Sequence, residues 1–319
     1  MKTRALGTLL RPALLACVLT APAGAYYDDV HFHLTYYVAR MVGFSPDQAA
    51  RIAGANVSVD YSQRTEPVQG FWPTAGTQAP RVRFHAFRDE NSYPASIGEM
   101  EQAAEADRAI RGQQVQLWNT GLEDRNPGAF LHFFQDRWPH HKYGSKGGHW
   151  SDSSDTFGFG NLAIAVVARL PQGGTTDWLS YQQKLSASEQ ARSNERLLED
   201  TARALGRFMQ MAGLGTPKTV SAADHRDVLE ALRQANPHPE PIFPADIPRI
   251  GQLTAGIVAR TPEDQAKYGK HLDGPDTAAA KQVLDAALRA RGFADPVPPH
   301  HAHYEFNAAG RLLSPEGRL

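Results

Sequence analysis

The stretch that most constrains this chain is residues 126–138, Asn-Pro-Gly-Ala-Phe-Leu-His-Phe-Phe-Gln-Asp-Arg-Trp. Asn126 suits a helix cap and Pro127 the first turn, so a helix starts here. Phe130, Leu131, Phe133, Phe134 and Trp138 make that helix apolar nearly all round, a pattern that implies burial. Yet His132 and Asp136, four residues apart, lie one above the other on one face. Buried charges must be compensated, by each other or by a bound cation, because an unpaired one costs on the order of several kcal/mol. Taken alone, such a pair is more often a core hydrogen bond than a pair of metal ligands.

Its company changes that balance. Pro139 disfavours helical geometry at Trp138, so the helix should stop there and deliver His140 and His141 just past its end, with His149 eight residues on. Four histidines and one aspartate then fall within 18 residues. Upstream lie Asp28, Asp29, His31 and His33, then Asp60 at the end of another helix on the face of Ile52 and Asn56, then His85 in a long loop. Cys17 is the only cysteine, and it falls in a leader-like segment. Disulfides and thiolate ligands are therefore excluded from the mature chain, leaving His, Asp or Glu to hold any metal.

Helix signals recur along the chain. Ser45-Pro46-Asp47-Gln48 combines a cap, a first-turn proline and a capping-box partner, and predicts a helix running towards Asp60. The apolar residues 34–42 before it, closed by Gly43, give a hairpin partner. Residues 62–97 read as a long loop, with a little strand in the alternating patch 81–88. Helices follow at about 98–118, 161–170, 188–213, 222–235 and 277–292, and residues 236–275 read as proline-rich and irregular. No succession of strands would build a sheet, so the predicted class is an all-α, multi-helix bundle with long loops.

Lys2, Arg4 and Arg11, the apolar run 12–20 and Ala23-Gly24-Ala25 form a signal-peptide pattern over residues 1–25. A lipoprotein box at Leu14-Leu15-Ala16-Cys17 is the less favoured alternative, because Arg11 and Pro12 leave few apolar residues ahead of Cys17. The expected location is periplasmic or secreted. The run is shorter than the roughly 20 residues a membrane span needs, and no later segment offers a stable span. Loss of those three basic residues takes the formal charge from −1 to −4, so no global charge argues for polyanion binding. The mature chain divides into a helical metal-site region, 26–185, and a helical region packing on it, 186–319; one domain of 26–295 with a flexible tail is the alternative. The tail tract His300-His301-Ala302-His303 reads as flexible rather than as a ligand set.

Asp29-Val-His31-Phe-His-Leu-Thr35-Tyr36, Val59-Asp60, Phe84-His85, Phe130-Leu-His132-Phe-Phe-Gln-Asp136 and Gly148-His149 together resemble the zinc-dependent phospholipase C and S1/P1 nuclease superfamily. More closely, they resemble an uncharacterised bacterial family with the same opening segment. The resemblance covers roughly residues 29–170 and implies a phospholipase C/P1 nuclease-like fold holding two or three zinc ions. It implies that His132 and Asp136 are ligands, Asp136 able to bridge, and that Asp60 and His85 complete the ion held by His132. It further implies that His140 or His141 pairs with His149 on another ion and that His31 matches the N-terminal family histidine better than His33, both being within reach of metal. Asp60 would also act as the catalytic base. The chain departs from the superfamily in opening its predicted mature form on Tyr26 rather than Trp. It also has Ser153 in place of a glutamate one turn after His149, where Asp152 or Asp155 is the available substitute.

The implied activity is hydrolysis of a phosphoester: a small molecule, a lipid headgroup or a nucleic acid fragment. His and carboxylate donors suit zinc and, less decisively, manganese or iron. Arg137, Lys142 and Lys146 could neutralise phosphate charge, although basic residues in a hydrophilic loop are ordinarily just solvated. The alternative class is a non-catalytic exported helical protein with a structural metal.

Overall fold

A computed structural model describes residues 29–65, 80, 82–86, 108–140, 187–235, 249, 252–253, 258–272 and 277–319. A π-helical turn, Asp29–Leu34, runs straight into α1, Thr35–Val42, and every residue from 30 to 42 is buried. A helix buried on all sides must be the strut around which others pack. Gly43 ends it with φ 120°, a left-handed step that glycine takes without strain, and its N–H reaches the carbonyls of Ala39 and Arg40.

The chain returns as α2, Pro46–Val57, through the expected capping box. Ser45 Oγ accepts from Gln48 N at 3.2 Å and Gln48 Oε1 accepts from Ser45 N at 3.1 Å. A 3₁₀ turn, Ser58–Asp60, extends it. Next come α3, Arg108–Glu123, and α4, Gly128–His140, the latter capped by Asn126 Oδ1, which accepts from Gly128 N at 2.8 Å. The long α5, Ala187–Met211, leads through a 3₁₀ turn, Ala222–His225, to α6, Arg226–Ala235. The last helices are α7, Pro262–Leu272, and α8, Thr277–Ala290.

α1 packs on α2 and α5, α4 is held between α2, α3 and α5, and α8 covers α6 and the π turn. Their shared core includes Phe32, Tyr37, Ile52, Phe133, Leu198, Phe208 and Leu284. It draws on both sides of the expected boundary near residue 185. Among the described residues the only β pairing is the isolated bridge Phe306–Leu312, so the protein is mainly helical, as expected.

Four local expectations are corrected. Residues 82–84 are helical rather than strand-like: Phe84 and His85 are adjacent and both buried, which a period of two cannot deliver. Helix α7 lies where an irregular segment was expected, and Thr261-Pro262-Glu263-Asp264 starts it. Thr261 Oγ1 accepts from Asp264 N at 3.1 Å and Asp264 Oδ2 accepts from Thr261 N at 3.2 Å, a reciprocal cap. Helix α4 passes Trp138 and ends at His140, because the bias that proline imposes on its predecessor is a preference and not a prohibition. The tail is not loose either. Tyr304, Phe306 and Leu312 are buried in the core, Asp124 Oδ2 accepts from Leu312 N at 2.7 Å, and Gly317 O accepts from Asn126 Nδ2 at 2.6 Å. The predicted leader and the helix expected at 161–170 lie outside the described residues. None of the described helices is long and apolar enough to cross a membrane.

Candidate metal centre

The close approach of α4 to α2 sets up the site. A Cβ on Gly128 would overlap Ala55 Cβ and lie 2.7 Å from both Ala55 C and Asn56 N, so only glycine lets the two backbones meet here. One helical turn later this proximity lets His132 Nδ1 reach the carbonyl of Asn56, at 2.9 Å. A carbonyl only accepts, so the proton sits on Nδ1 and the Nε2 lone pair points away from it.

The same logic fixes two more imidazoles. His85 Nε2 lies 2.9 Å from Thr65 O, which leaves its Nδ1 as the open nitrogen. His31 Nδ1 lies 2.9 Å from Gln135 Oε1, which leaves Nε2. Gln135 is itself oriented, since its Oε1 accepts from Asn56 Nδ2 at 2.9 Å and its Nε2 donates to Thr35 Oγ1 at 3.0 Å. Thr35 Oγ1 also accepts from Asn56 Nδ2, at 3.0 Å, and donates to Val30 O, at 3.1 Å. Second partners of this kind, which fix tautomer and ring orientation, are the usual support of metal-ligating histidines.

The open nitrogens converge on two carboxylates. His132 Nε2 and His85 Nδ1 are 3.0 Å apart, and each lies near Asp136 Oδ2, at 3.2 and 3.1 Å. Asp60 Oδ1 approaches the same two imidazoles, 3.5 Å from His132 Nε2 and 3.6 Å from His85 Nδ1. A zinc tetrahedron with bonds of about 2.0–2.2 Å has edges of about 3.3–3.6 Å. Five of the six distances among these four side chains measure 3.0–3.6 Å, but the two carboxylates fall in different ligand groups, Asp136 with His85 and His132, and Asp60 with His31 and His132. Each triad, rather than the foursome, is gathered closely enough to share one ion. His31 Nε2 meets the other oxygen of Asp136, at 3.1 Å, and its ring stacks on that of His132 with centroids 4.0 Å apart.

Electrostatics point the same way. All five side chains are buried, and the two aspartates carry two negative charges that one divalent cation would neutralise. Burial, together with the neighbouring charge of His31, holds His132 down to about 3 despite the pull of Asp136, so at neutral pH its lone pair is available. Burial also opposes charge on His31, but Asp136, Asp60 and Gln135 overcome it and raise it to about 8. A proton on His31 is therefore what balances Asp136 when no cation does.

These buried groups could hold a metal ion. His85, His132 and Asp136 form one possible ligand group and His31, Asp60 and His132 another. His33 is buried in the same turn but joins neither group. His140 is the last residue of α4, and its side chain, with His141, His149, Asp155 and the basic Arg137, Lys142 and Lys146, lies outside the described part of the structure. No known protein family, characterised protein or solved structure matches the chain.

Sequence reasoning missed the supporting residues. Asn56 and Gln135 were visible as amides inside apolar helices, an anomaly that calls for a partner. Thr65 carried no signal, because it contributes a backbone carbonyl. Ala86, directly after His85, has φ 52°. That left-handed step costs roughly 1–2 kcal/mol in a residue with a Cβ, and such outliers tend to cluster at functional sites.

Proposed function

We propose that this protein is an exported, zinc-dependent hydrolase acting on phosphoesters, with Asp60 as both ligand and base. The observation that carries the reading is the convergence of two buried ligand triads that share His132, namely His85/His132/Asp136 and His31/Asp60/His132, with His85 and His132 each held from behind by a backbone carbonyl. Asp136 could serve more than one ion, because its Oδ2 faces His85 and His132 while its Oδ1 faces His31. Paired divalent ions supply hydrolytic chemistry by lowering the pKa of water and stabilising both the attacking and the leaving oxygen. Around them this chain's residues would do the rest: Asp60 would orient and deprotonate the water, His31 would complete the site on the far oxygen of Asp136, and burial of the donors would exclude bulk solvent. A phospholipase C/P1 nuclease-like fold and the phosphoester class rest on the resemblance of the His/Asp segments.

One observation favours a second reading, a structural zinc in a protein without turnover. The donors of both triads are buried, and closed coordination is the mark of structural sites.

The test begins with elemental mass spectrometry on untagged protein and on His132→Ala, Asp136→Ala. Two or three zinc equivalents in the wild type, lost in the variant, with hydrolysis of aryl phosphoesters, supports the hydrolase. One tightly held zinc with no turnover supports the structural reading. A metal-free wild type that stays folded sinks both.

A further inference from the structure

The four donors have unequal foundations. His132 and Asp136 stand on α4, a helix packed on three sides. Asp60 ends the 3₁₀ turn that extends α2 and His85 follows a single helical turn, so neither sits within a long helix as His132 and Asp136 do. Both turns are gripped by the C-terminal segment 302–312.

The segment grips the Asp60 turn at two serines on either side of the aspartate. Ser58 Oγ accepts from Tyr304 N at 2.9 Å, and Ser62 Oγ accepts from Phe306 N at 3.0 Å. Ser62 Oγ in turn donates to Glu305 Oε2 at 2.9 Å. Inside that grip, Thr65 Oγ1 donates to Val59 O at 2.8 Å, and the Thr65 carbonyl is the one that pins His85. The same segment reaches the His85 turn directly. Arg83 donates to Ala308 O at 3.3 Å, and the Cα of Gly310 lies so close to Phe84 that an added Cβ would stand 3.0 Å from its ring. Both donors on irregular chain, about 25 residues apart in sequence, thus share one fixture drawn from more than 200 residues further on.

We propose that segment 302–312 is a clasp that positions Asp60 and His85 for metal, with Ser58 and Ser62 as positioning residues acting through Asp60. The proposal rests on the metal-centre reading. A clasp of this kind sets the distance between the two donors, so loosening it changes affinity and coordination geometry without removing a ligand. Partners one step behind a ligand typically alter metal affinity ten- to a hundredfold.

The test uses the full chain, stripped of metal and titrated with Co²⁺, whose visible absorption reports coordination geometry. Ser62→Ala and Ser58→Ala are expected to weaken Co²⁺ binding at least tenfold each and to change the band positions and intensity of the Co²⁺-saturated protein. Glu305→Ala, at a half-exposed side chain, is the milder companion should either serine variant fail to fold; its expected loss is threefold or more with the same spectral change. A merely structural clasp would lower thermal stability and leave the saturated spectrum as in the wild type. That result, or unchanged affinity in folded variants, overturns the clasp alone. A wild type that binds no Co²⁺ overturns the clasp and the metal centre together.

Discussion

Replacing Gly128 by alanine sets two effects of opposite sign against each other. Gly128 opens α4, and alanine there gains helix propensity of at most about 1 kcal/mol. Against that, the new methyl would overlap Ala55 Cβ and approach Ala55 C and Asn56 N to 2.7 Å, well inside the roughly 3.5–4.0 Å of comfortable carbon contact. All three obstacles belong to α2, two of them are backbone, and α2 is pinned by α1 and by its own capping box. The movement must therefore come from α4, by on the order of 1 Å. Overpacking of that size costs about 1–3 kcal/mol, so the overlap wins and the variant is destabilised. The same displacement stretches the 2.9 Å contact from His132 Nδ1 to Asn56 O, the bond that aims Nε2 at the centre. Urea denaturation is expected to show a lower midpoint with an unchanged slope, and zinc affinity is expected to fall at least tenfold. An alanine variant as stable as wild type, with full zinc occupancy, would falsify the idea that this glycine exists for the helix contact.

Two further outcomes follow from the same geometry. In the metal-free protein the folded state holds a proton on His31 up to about pH 8, whereas the unfolded chain releases it near 6.5. That difference contributes about 2 kcal/mol of stability, fully present below pH 6.5 and lost as pH rises through 8. His132 does the reverse: its folded pKa of about 3 lets only the unfolded chain take up a proton between about 3 and 6.5, so stability also falls as pH drops through that window. These two groups place the stability maximum of the chelator-treated protein near pH 6.5, and a urea midpoint that climbs steadily from there to pH 9 contradicts the assignment. Gln135→Leu keeps the volume but removes the acceptor for His31 and Asn56 and the donor to Thr35. Several buried polar groups lose partners at about 1–3 kcal/mol each, so a loss of roughly 3 kcal/mol is expected by denaturation, and a variant within 1 kcal/mol of wild type would show the network to be expendable.

Local grammar made much of the helical frame legible. The Ser45–Gln48 capping box, the Asn126 cap and the stops at Gly43, Gly213 and Gly292 each act through a hydrogen bond or a left-handed φ within a few residues, so they can be read without tertiary context. α7 carried an equally local signal in Thr261-Pro262-Glu263-Asp264, masked by the prolines around it. The burial of Tyr304, Phe306 and Leu312 was not legible in this way. Those residues stand among Gly, Ser and charged neighbours with no periodicity, and they are buried only because α2 and α3 leave room for them.

The centre divides along the same line. His132 and Asp136 are one helical turn apart on an apolar helix, so their pairing was forced by sequence. Asp60 and His85 could be placed only by resemblance, since nothing within either segment says where it goes. The donors come from four stretches of chain, the π turn, the 3₁₀ turn, the residue 82–86 turn and α4, which meet only after the whole molecule has folded. An ion bound here has no competing site in the unfolded chain, so its binding free energy adds to folding free energy. Without it, folding must gather two carboxylates in a dry core and leave the imidazolium of His31 to balance them. One proton against two buried carboxylates is an incomplete balance, and both Asp136 and Asp60 draw on it, since both act to keep His31 charged.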